Sequence, residues 1–336
     1  MKRWFLLLLC AMLPLSGCAQ SSKQKYSAEI YGAFDTVTTV TAYCSSEKEF
    51  NAFRDKTEKL LLYYSRLYDI YMDYQDVEGI YAVNEAAGDH PVKVEPEVMS
   101  LLRFGIESYE LTQGRVNIAM GSVLSIWHDL REQAQTDPAS AKLPEESQLR
   151  SAAQHCDLMK LQLDDDAGTA YLEDPEMRLD VGAIAKGYAA QQVYEKLVKA
   201  GYQNFVLSAG GNVIAAGTPE GRDSWSVGIE SPLENGDLID TVSCKNQAVV
   251  TSGGYERFYT VDGKQYHHIV DPDTLYPAEY VKSATVIYSD SSLADAFSTA
   301  MFLMTPEKSL ALAKKYPGMR IILMDVNGKI IDSAKQ

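Results

Sequence analysis

Hydrophobic residues recur with two different spacings in the first half of the chain. In Phe34–Tyr43 (FDTVTTVTAY) hydrophobic and polar residues alternate, and the high Thr and Val content favours a strand. In Glu49–Met72 the hydrophobic residues recur at helical spacing without Gly or Pro, which predicts a long helix. The same spacing predicts a second helix over Glu95–Leu111, ending before Gly114. Residues 131–154 are polar and contain two prolines, so we predict a surface segment there.

The second half of the chain changes between strand and helix patterns over shorter intervals. The predicted strands are Arg178–Val181, Phe205–Ser208, Val213–Ala216, Trp225–Ile229, Ala248–Thr251 and Ser283–Tyr288, and the predicted helices are Tyr188–Ala200, Leu293–Met304 and Pro306–Tyr316. The dipeptides Asp262-Gly263 and Asn327-Gly328 are typical of hairpin turns of the primed types. Short strands, hairpins and interspersed helices together predict an α+β fold with largely antiparallel sheets and packed helices.

The N-terminus has the pattern of a lipoprotein signal. A short basic start precedes an apolar run, Trp4–Leu15, which is too short to span a bilayer comfortably. Leu-Ser-Gly-Cys18 follows, so we predict a signal peptide over residues 1–17 and a lipid on Cys18. We expect residues 18–28 to be a tether that holds the protein on the extracytoplasmic face of the cell membrane. An ordinary secretory signal that contains a cysteine is the alternative.

The charge of the chain excludes some classes of partner. The net charge is −15, which argues against nucleic acid and against electrostatic docking on anionic lipid. It does not exclude an anionic ligand, because a bound divalent cation can invert the local field. Once the signal is removed, the remaining chain is long enough for one large domain or two modest ones.

Cysteines and common nucleotide motifs add little. Apart from Cys10 in the signal and Cys18, the chain has Cys44, Cys156 and Cys244, with no CxxC pair. We predict that all three are small buried residues and do not form disulfides or a zinc site. The chain contains no GxGxxG sequence and no Walker loop, so the usual phosphate-binding loops are absent from the sequence.

The first cluster that could carry chemistry is Asp180–Gln191 (DVGAIAKGYAAQ). A strand is predicted to end at Asp180, small residues follow, and Lys186 lies where a helix begins. Small residues let a ligand approach the backbone, and a helix start and an ammonium group both favour phosphate oxygens. The alternative is an ordinary strand–helix junction with a solvated lysine.

The second cluster is Gln265–Thr274 (QYHHIVDPDT). On a strand His267 and His268 point to opposite faces, so only one of them can serve a given site. The alternative is a hairpin with polar ends. No HExxH spacing supports a metal bound by histidines.

The third cluster contains Asp295 and Thr299, four residues apart and therefore on one face of a predicted helix. A carboxylate and a hydroxyl are hard oxygen donors of the kind that Mg²⁺ prefers, and Mg²⁺ keeps other positions for phosphate and water. The alternative is an acidic residue near the positive end of a helix dipole.

Taken together, these clusters resemble the FAD:protein FMN transferases (ApbE-type) over nearly the whole chain after the signal. The matching motifs, in chain order, are Phe34-Asp-Thr36, Tyr74 ten residues before Asn84, Gly114-Arg-Val-Asn117 leading to Trp127, Asp180–Tyr188, Ser208-Ala-Gly-Gly-Asn212, Thr251-Ser-Gly-Gly254, His268-Ile-Val-Asp-Pro272 and Ala294-Asp-Ala-Phe-Ser-Thr299. The resemblance implies a single large domain over residues 29–336 with an ApbE-like fold that is related to the T-fold.

The resemblance also implies roles for individual residues. The Ala183 carbonyl and the side chains of Asp295 and Thr299 would hold Mg²⁺, and His268 would lie close to the diphosphate of FAD, with His268 and Asp295 as the catalytic residues. The implied FAD site consists of Phe34, Tyr74, Val116, Asn117, Asp180, Lys186, His268 and Ile269. Three positions depart from the family pattern: Gln191 replaces a common Asp, Leu275 replaces the Gly that usually follows the DPxT turn, and Asn117 replaces a common Asp.

The implied reaction is transfer of the FMN half of FAD to a Thr or Ser of an exported or membrane-bound acceptor flavoprotein, with release of AMP. Mg²⁺ would act as a Lewis acid on the diphosphate. His268 could take the proton of the acceptor hydroxyl or stabilise charge, and the sequence leaves both roles open. Two alternatives remain: a hydrolase that splits FAD into FMN and AMP, and a flavin-binding lipoprotein without catalysis.

Overall fold

The computed structural model describes residues 23–233 and 237–335. The predicted signal peptide and Cys18 lie outside these residues. Strand β1 begins at Gln24, so residues 24–28 are not a tether as predicted but part of the fold. Every second residue from Tyr26 to Ile30 turns toward the core, and β1 pairs with β2 along its length, which accounts for the strand.

The largest sheet has eight antiparallel strands in the order β1-β2-β6-β7-β10-β13-β14-β15. Its strands are β1 (Gln24–Ala33), β2 (Thr36–Cys44), β6 (Phe205–Ala209), β7 (Asn212–Ala216), β10 (Gln247–Gly253), β13 (Val281–Tyr288), β14 (Arg320–Asp325) and β15 (Ile330–Asp332). A three-stranded sheet has the order β3-β5-β4, formed by β3 (Val92–Lys93), β4 (Leu161–Asp164) and β5 (Thr169–Leu172). Two hairpins complete the strands, β8 (Trp225–Glu230) with β9 (Leu238–Cys244) and β11 (Phe258–Val261) with β12 (Lys264–His267).

Helices cover one face of the large sheet. The α-helices are α1 (Glu47–Tyr68), α2 (Ile80–Glu85), α3 (Pro96–Leu111), α4 (Gly121–Thr136), α5 (Glu146–Ala153), α6 (Ala185–Lys199), α7 (Ser291–Phe302) and α8 (Pro306–Ala313). The main core lies between this face and α1, α6 and α7. The β8–β9 hairpin packs on the other face, since Ile214 of β7 points into the main core whereas Ala215 points toward Trp225. The predicted α+β class with antiparallel sheets is confirmed.

Residues 131–154 were predicted to be a polar surface segment, and most of them are exposed, but the segment is largely helical, which was not predicted. Helix α4 continues through Arg131 to Thr136, and α5 follows from Glu146. Ala134 and Leu149 are buried in a small core around Trp127. The apolar positions that form this contact are too few and too far apart to give a periodic signal in a polar stretch.

Two shorter predictions also fail. Arg178–Val181 is not a strand, because only Arg178 makes an isolated bridge, to Met120. At Asp262-Gly263 both residues have positive φ, as a primed hairpin turn requires. At Asn327-Gly328 only Gly328 has a positive φ, so this turn is not of the primed type that was predicted. The Asp325 carboxylate accepts the backbone N–H of Asn327 and stabilises a different turn.

Cys44, Cys156 and Cys244 are free, as predicted. Burial raises the pKa of each thiol to about 11, so these side chains are unreactive at neutral pH. Among the described residues, none of the helices is both long enough and apolar enough to span a membrane.

Candidate active site

The three sequence clusters meet at one cavity with a volume of about 400 Å³. The β1–β2 turn, the start of β7, the end of β10, one face of α4, the start of α6 and one face of α7 surround it. The predicted site residues that line it are Phe34, Val116, Asn117, Asp180, Ala183, Lys186, His268, Ile269, Asp295 and Thr299. All the predicted site residues except Tyr74 therefore lie at the cavity.

The first turn of α6 and the side chain of Asp295 are joined by a hydrogen bond between helices. The backbone N–H of Gly187 donates to Asp295 Oδ2 at 2.7 Å. In a regular helix this N–H would bond to the carbonyl four residues earlier, which belongs to Ala183. Within residues 23–233 and 237–335 the Ala183 carbonyl accepts no hydrogen bond, so its oxygen is available to a ligand at the cavity.

Asp295 is buried, and burial raises the pKa of its carboxyl group to about 6. The Lys186 ammonium and the Gly187 N–H oppose this shift. Asp295 Oδ1 has no hydrogen-bond partner in the part of the chain that the structure describes. A cation at Oδ1 would stabilise the charged form of this carboxylate and lower its pKa.

The oxygen donors at this end of the cavity suit Mg²⁺. They are Asp295 Oδ1, the Ala183 carbonyl and Thr299 Oγ1, whose contact is Ser252 Oγ at 3.3 Å. One carboxylate with two neutral oxygens leaves coordination positions for phosphate and water, which Mg²⁺ usually keeps. The residues predicted to hold the metal therefore fit it chemically.

Lys186 lies in the first turn of α6, where the helix dipole and the ammonium add to the same positive field. Its Nζ donates to the Gly210 carbonyl at 3.2 Å. Gly210 has φ of 48°, and a Cβ there would lie 2.6 Å from Thr36 Oγ1. The glycine turn after β6 therefore allows close packing against the first hairpin and places the lysine at the cavity.

The two adjacent histidines have different roles, as their alternation predicts. His267 Nε2 donates to the Ala278 carbonyl at 2.9 Å, and its Nδ1 accepts the N–H of Ile269, so His267 is a structural residue. His268 lines the cavity, and its Nδ1 donates to the Arg257 carbonyl at 3.2 Å. That bond assigns the proton of the neutral ring to Nδ1 and leaves the Nε2 lone pair free.

His268 remains neutral at physiological pH. Burial lowers the pKa of its imidazole to about 3, and the nearby cations Arg257 and Arg131 contribute to this shift. The ring is therefore neutral with a free Nε2 lone pair throughout the neutral range, and the same low pKa makes it a weak base until a nearby negative charge raises that pKa.

Asp180 and Asn117 are fixed by backbone contacts on the opposite side of α6. Asp180 Oδ1 accepts the Gly182 N–H at 2.8 Å, and burial raises the pKa of its carboxyl group. Asn117 Nδ2 donates to the Cys156 carbonyl at 3.0 Å, and its Oδ1 accepts the Ala119 N–H. Both polar groups of Asn117 are thus occupied by backbone, which argues against a proton-transfer role.

Phe34 and Asp35 form the two-residue turn between β1 and β2, with φ of 54° and 50°. The sequence pattern had placed Phe34 in the strand, and this start is wrong by two residues. A left-handed conformation is unfavourable for a bulky residue, and it persists here with the Phe34 N–H bonded to Ser65 Oγ. The strained turn presents Phe34 to the cavity.

Tyr74 does not line this cavity. Its hydroxyl donates to Asp69 Oδ2 at 3.2 Å and its ring lies under Arg66, at a separate small depression. Tyr71 and Met72 line the cavity instead. Residues 69–79 form an irregular loop, so a spacing counted along the sequence does not determine which way a side chain points.

The departure at Leu275 leaves the turn after His268 intact. Leu275 has φ of 63°, a conformation that glycine adopts more easily, and its carbonyl accepts the Trp127 indole N–H at 3.0 Å. Asp271 in the same turn is buried and accepts hydrogen bonds from Arg115 and from the Tyr280 hydroxyl. These contacts hold the turn although the glycine is replaced.

The departure at Gln191 contributes to helix packing. Its Oε1 accepts the Ser291 N–H at the start of α7 at 2.9 Å, and its Nε2 donates to Glu195. Ser291 Oγ donates in turn to Asn212 Oδ1. Gln191 therefore fixes the beginning of α7, the helix that carries Asp295.

Sequence reasoning missed several cavity residues. They are Tyr71 and four residues with basic side chains: Arg115, His128, Arg131 and Arg257. His128 and Arg131 are three residues apart on α4 and therefore share a face, but they lie where a surface segment was predicted. Recognising that the helix continues beyond Trp127 would have identified both.

Comparison with known proteins agrees with this architecture. A model of the ApbE family matches residues 34–323, which is most of the chain. The chain belongs to the ApbE family. The match extends from the Phe34 turn, through every motif that lines the cavity, to β14.

Members of the ApbE family with assigned names are similar in sequence and in structure. The chain is 32% identical over 275 residues to a FAD:protein FMN transferase of Treponema pallidum, covering 77% of this chain and 74% of the relative. It is 30% identical over 281 residues to one of Klebsiella pneumoniae, covering 81% and 85%. The crystal structure of the ApbE protein from Thermotoga maritima superimposes with a TM-score of 0.79 at 28% identity, covering 93% of this chain and 98% of that one. The flavin transferase ApbE from Vibrio cholerae has a TM-score of 0.76 at 19% identity and supports the fold alone.

Proposed function

We propose that this protein transfers the FMN half of FAD to a Thr or Ser of an acceptor protein in a Mg²⁺-dependent reaction that releases AMP. The observation that carries the proposal is the convergence at one cavity of free oxygen donors, Lys186 and a neutral histidine. Asp295, Thr299 and the Ala183 carbonyl would hold the metal. Bound there, Mg²⁺ would act as a Lewis acid on the diphosphate.

The residues of the chain position the reactants and handle the proton. Lys186 and the start of α6 attract the negatively charged diphosphate. The negative charge of the bound diphosphate would raise the lowered pKa of His268. Its free Nε2 then accepts the proton of the acceptor hydroxyl as that oxygen attacks the phosphorus of the FMN half. The bond from that phosphorus to the AMP oxygen breaks, so one phosphoester forms and AMP leaves.

Mass spectrometry of the products tests the proposal. The protein is mixed with FAD, Mg²⁺ and candidate acceptor domains. We expect an acceptor whose mass increases by that of FMN less one water, together with an equal amount of AMP. The mass increase should disappear when the target Thr or Ser is changed to Ala. FMN and AMP in solution without a modified acceptor would identify a hydrolase. FAD binding without any AMP would identify a flavin-binding protein and contradict the transfer.

We also propose that the protein is a lipoprotein held by Cys18 on the extracytoplasmic face of the cell membrane, which would place its acceptors there as well. We expect Cys18→Ala to move the protein from the membrane fraction to the soluble fraction of cells grown with labelled fatty acid, because the acylated thiol is lost. A Cys10→Ala variant serves as the matched control and should remain in the membrane. Lipid label on the Cys18→Ala protein would contradict the anchor.

A further inference from the structure

Arg131 on α4 is a largely buried cation whose one ion pair among the described residues is long and is made with an exposed carboxylate. Its side chain is 12% exposed and lines the cavity. The carboxylate nearest to it in an ion pair, Glu132, is 3.6 Å away on the same helix and 54% exposed. In the described ranges 23–233 and 237–335, its one side-chain hydrogen bond is donated by Nη2 to His128 Nδ1 at 2.8 Å. Most of its five N–H donors therefore have no protein partner, although an unpaired charge is costly to bury.

Arg131 is held in a defined direction by its neighbours. His128 Nδ1 accepts its hydrogen bond, and the His128 ring stacks on Tyr71 with centroids 4.5 Å apart and planes at 22°. Both side chains line the cavity. A guanidinium fixed in this way loses little conformational freedom when it binds a ligand.

The positive field of Arg131 acts on a different part of the cavity from that of Lys186. Arg131 and Arg257 both oppose protonation of His268 and favour the charged form of Asp180. The Lys186 ammonium favours the charged form of Asp295. The cavity thus has one positive centre beside the proposed metal site and a second beside His268. In a chain with a net charge of −15, a second buried positive centre indicates an anionic ligand group.

We propose that Arg131 binds a phosphate oxygen of the FAD diphosphate beside His268, with His128 and Tyr71 as positioning residues. The planar guanidinium offers parallel N–H donors that match phosphate oxygens. The inference depends on the proposed function, because it takes FAD as the occupant of this cavity. Arg131 would then neutralise phosphate charge that the metal and Lys186 do not reach.

Ligands that carry only part of FAD test this assignment. The wild type, Arg131→Gln and Arg131→Lys are titrated at fixed Mg²⁺ with FAD, with ADP, which has the diphosphate without flavin, and with riboflavin, which has flavin without phosphate. We expect Arg131→Gln to bind FAD and ADP about tenfold more weakly, as the loss of a charge-assisted hydrogen bond predicts. Riboflavin affinity should not change, and Arg131→Lys should recover part of the loss.

Arg150→Gln is the matched control, because Arg150 lies on α5, is 72% exposed and does not line the cavity. Its affinities and its thermal midpoint should equal those of the wild type. Equal FAD and ADP affinity for the wild type and Arg131→Gln would overturn the proposal, as would an equal loss for riboflavin. Unchanged FAD binding with a higher KM for the acceptor would identify an acceptor carboxylate as the partner, which also overturns it. A wild type that does not bind FAD would refute the proposed function itself.

Discussion

Asp295→Asn is expected to lower AMP release from FAD by roughly a thousandfold, because a Lewis acid contributes several kcal/mol and each ~1.4 kcal/mol is tenfold in rate. Asparagine keeps the shape of the side chain and can still accept the Gly187 N–H, so the contact between α6 and α7 is preserved. It removes the full negative charge that the proposed metal site requires. The measurement is AMP release at several Mg²⁺ concentrations, with circular dichroism to confirm folding.

Thr299→Ala is the companion variant and should lose less activity, since a hydroxyl brings only a dipole to the metal. A high Mg²⁺ concentration should restore part of the activity of Thr299→Ala, because mass action offsets the weaker binding of the metal.

The Mg²⁺ affinity of the wild type should also fall as the pH decreases through about 6, where a proton competes for Asp295. Folded Asp295→Asn with wild-type activity, or a wild type that stays active with a chelator, would refute the metal-assisted mechanism.

Gly187→Ala is expected to destabilise the fold by ~1–3 kcal/mol and to remove most of the activity, because overpacking forces backbone shifts. A Cβ at this position would lie 2.3 Å from Asp295 Cβ and 2.5 Å from the Ser291 carbonyl oxygen. Alanine favours a helix over glycine, so the intrinsic preference acts in the opposite direction and a loss of stability isolates the clash. The measurements are urea unfolding and AMP release.

Gly105→Ala is the control for this prediction. Gly105 is also inside a helix, but the atoms that its Cβ would meet are all in the side chain of Ile118, the terminal Cδ1 closest at 2.5 Å, whereas Gly187 would meet a backbone carbonyl. We expect a smaller change in stability and unchanged activity per folded molecule. A Gly187→Ala protein that is as stable and as active as the control would show that the α6–α7 contact has more room than the structure indicates.

The sequence was most informative where one period continues over many residues. Helices α1 and α3 lie within a few residues of their predicted limits, because each buries one regular face. Strands β6 and β7 also match their predicted limits, because the tight turn at Gly210-Gly211 bounds both. The sequence was least informative where the structure of a segment depends on contacts with residues that are distant in the chain. Residues 24–28 form a strand only because β2 pairs with them, and Leu149 is buried only because Trp127 packs nearby.

The candidate site shows the same division. Asp180, Lys186, His268 and Asp295 lie in compact motifs at element ends, where local sequence determines local geometry. The prediction that Tyr74 lines the cavity is wrong because Tyr74 belongs to an irregular loop, in which spacing along the sequence does not determine where a side chain points. Arg131 was missed for a different reason: a charged residue in a polar stretch resembles any solvated side chain until the fold brings it to the cavity.

If the protein is lipid-anchored at Cys18 as proposed, the length of strand β1 also limits the distance between the cavity and the bilayer. Strand β1 has ten residues and ends directly before Phe34 at the cavity. Its length is about 34 Å at the usual rise of a strand, and the segment from Cys18 to its start adds at most about 20 Å. If Cys18 carries the lipid, the cavity mouth lies no more than roughly 55 Å above the membrane surface. An acceptor whose target hydroxyl stands farther out would be beyond reach, whatever its sequence.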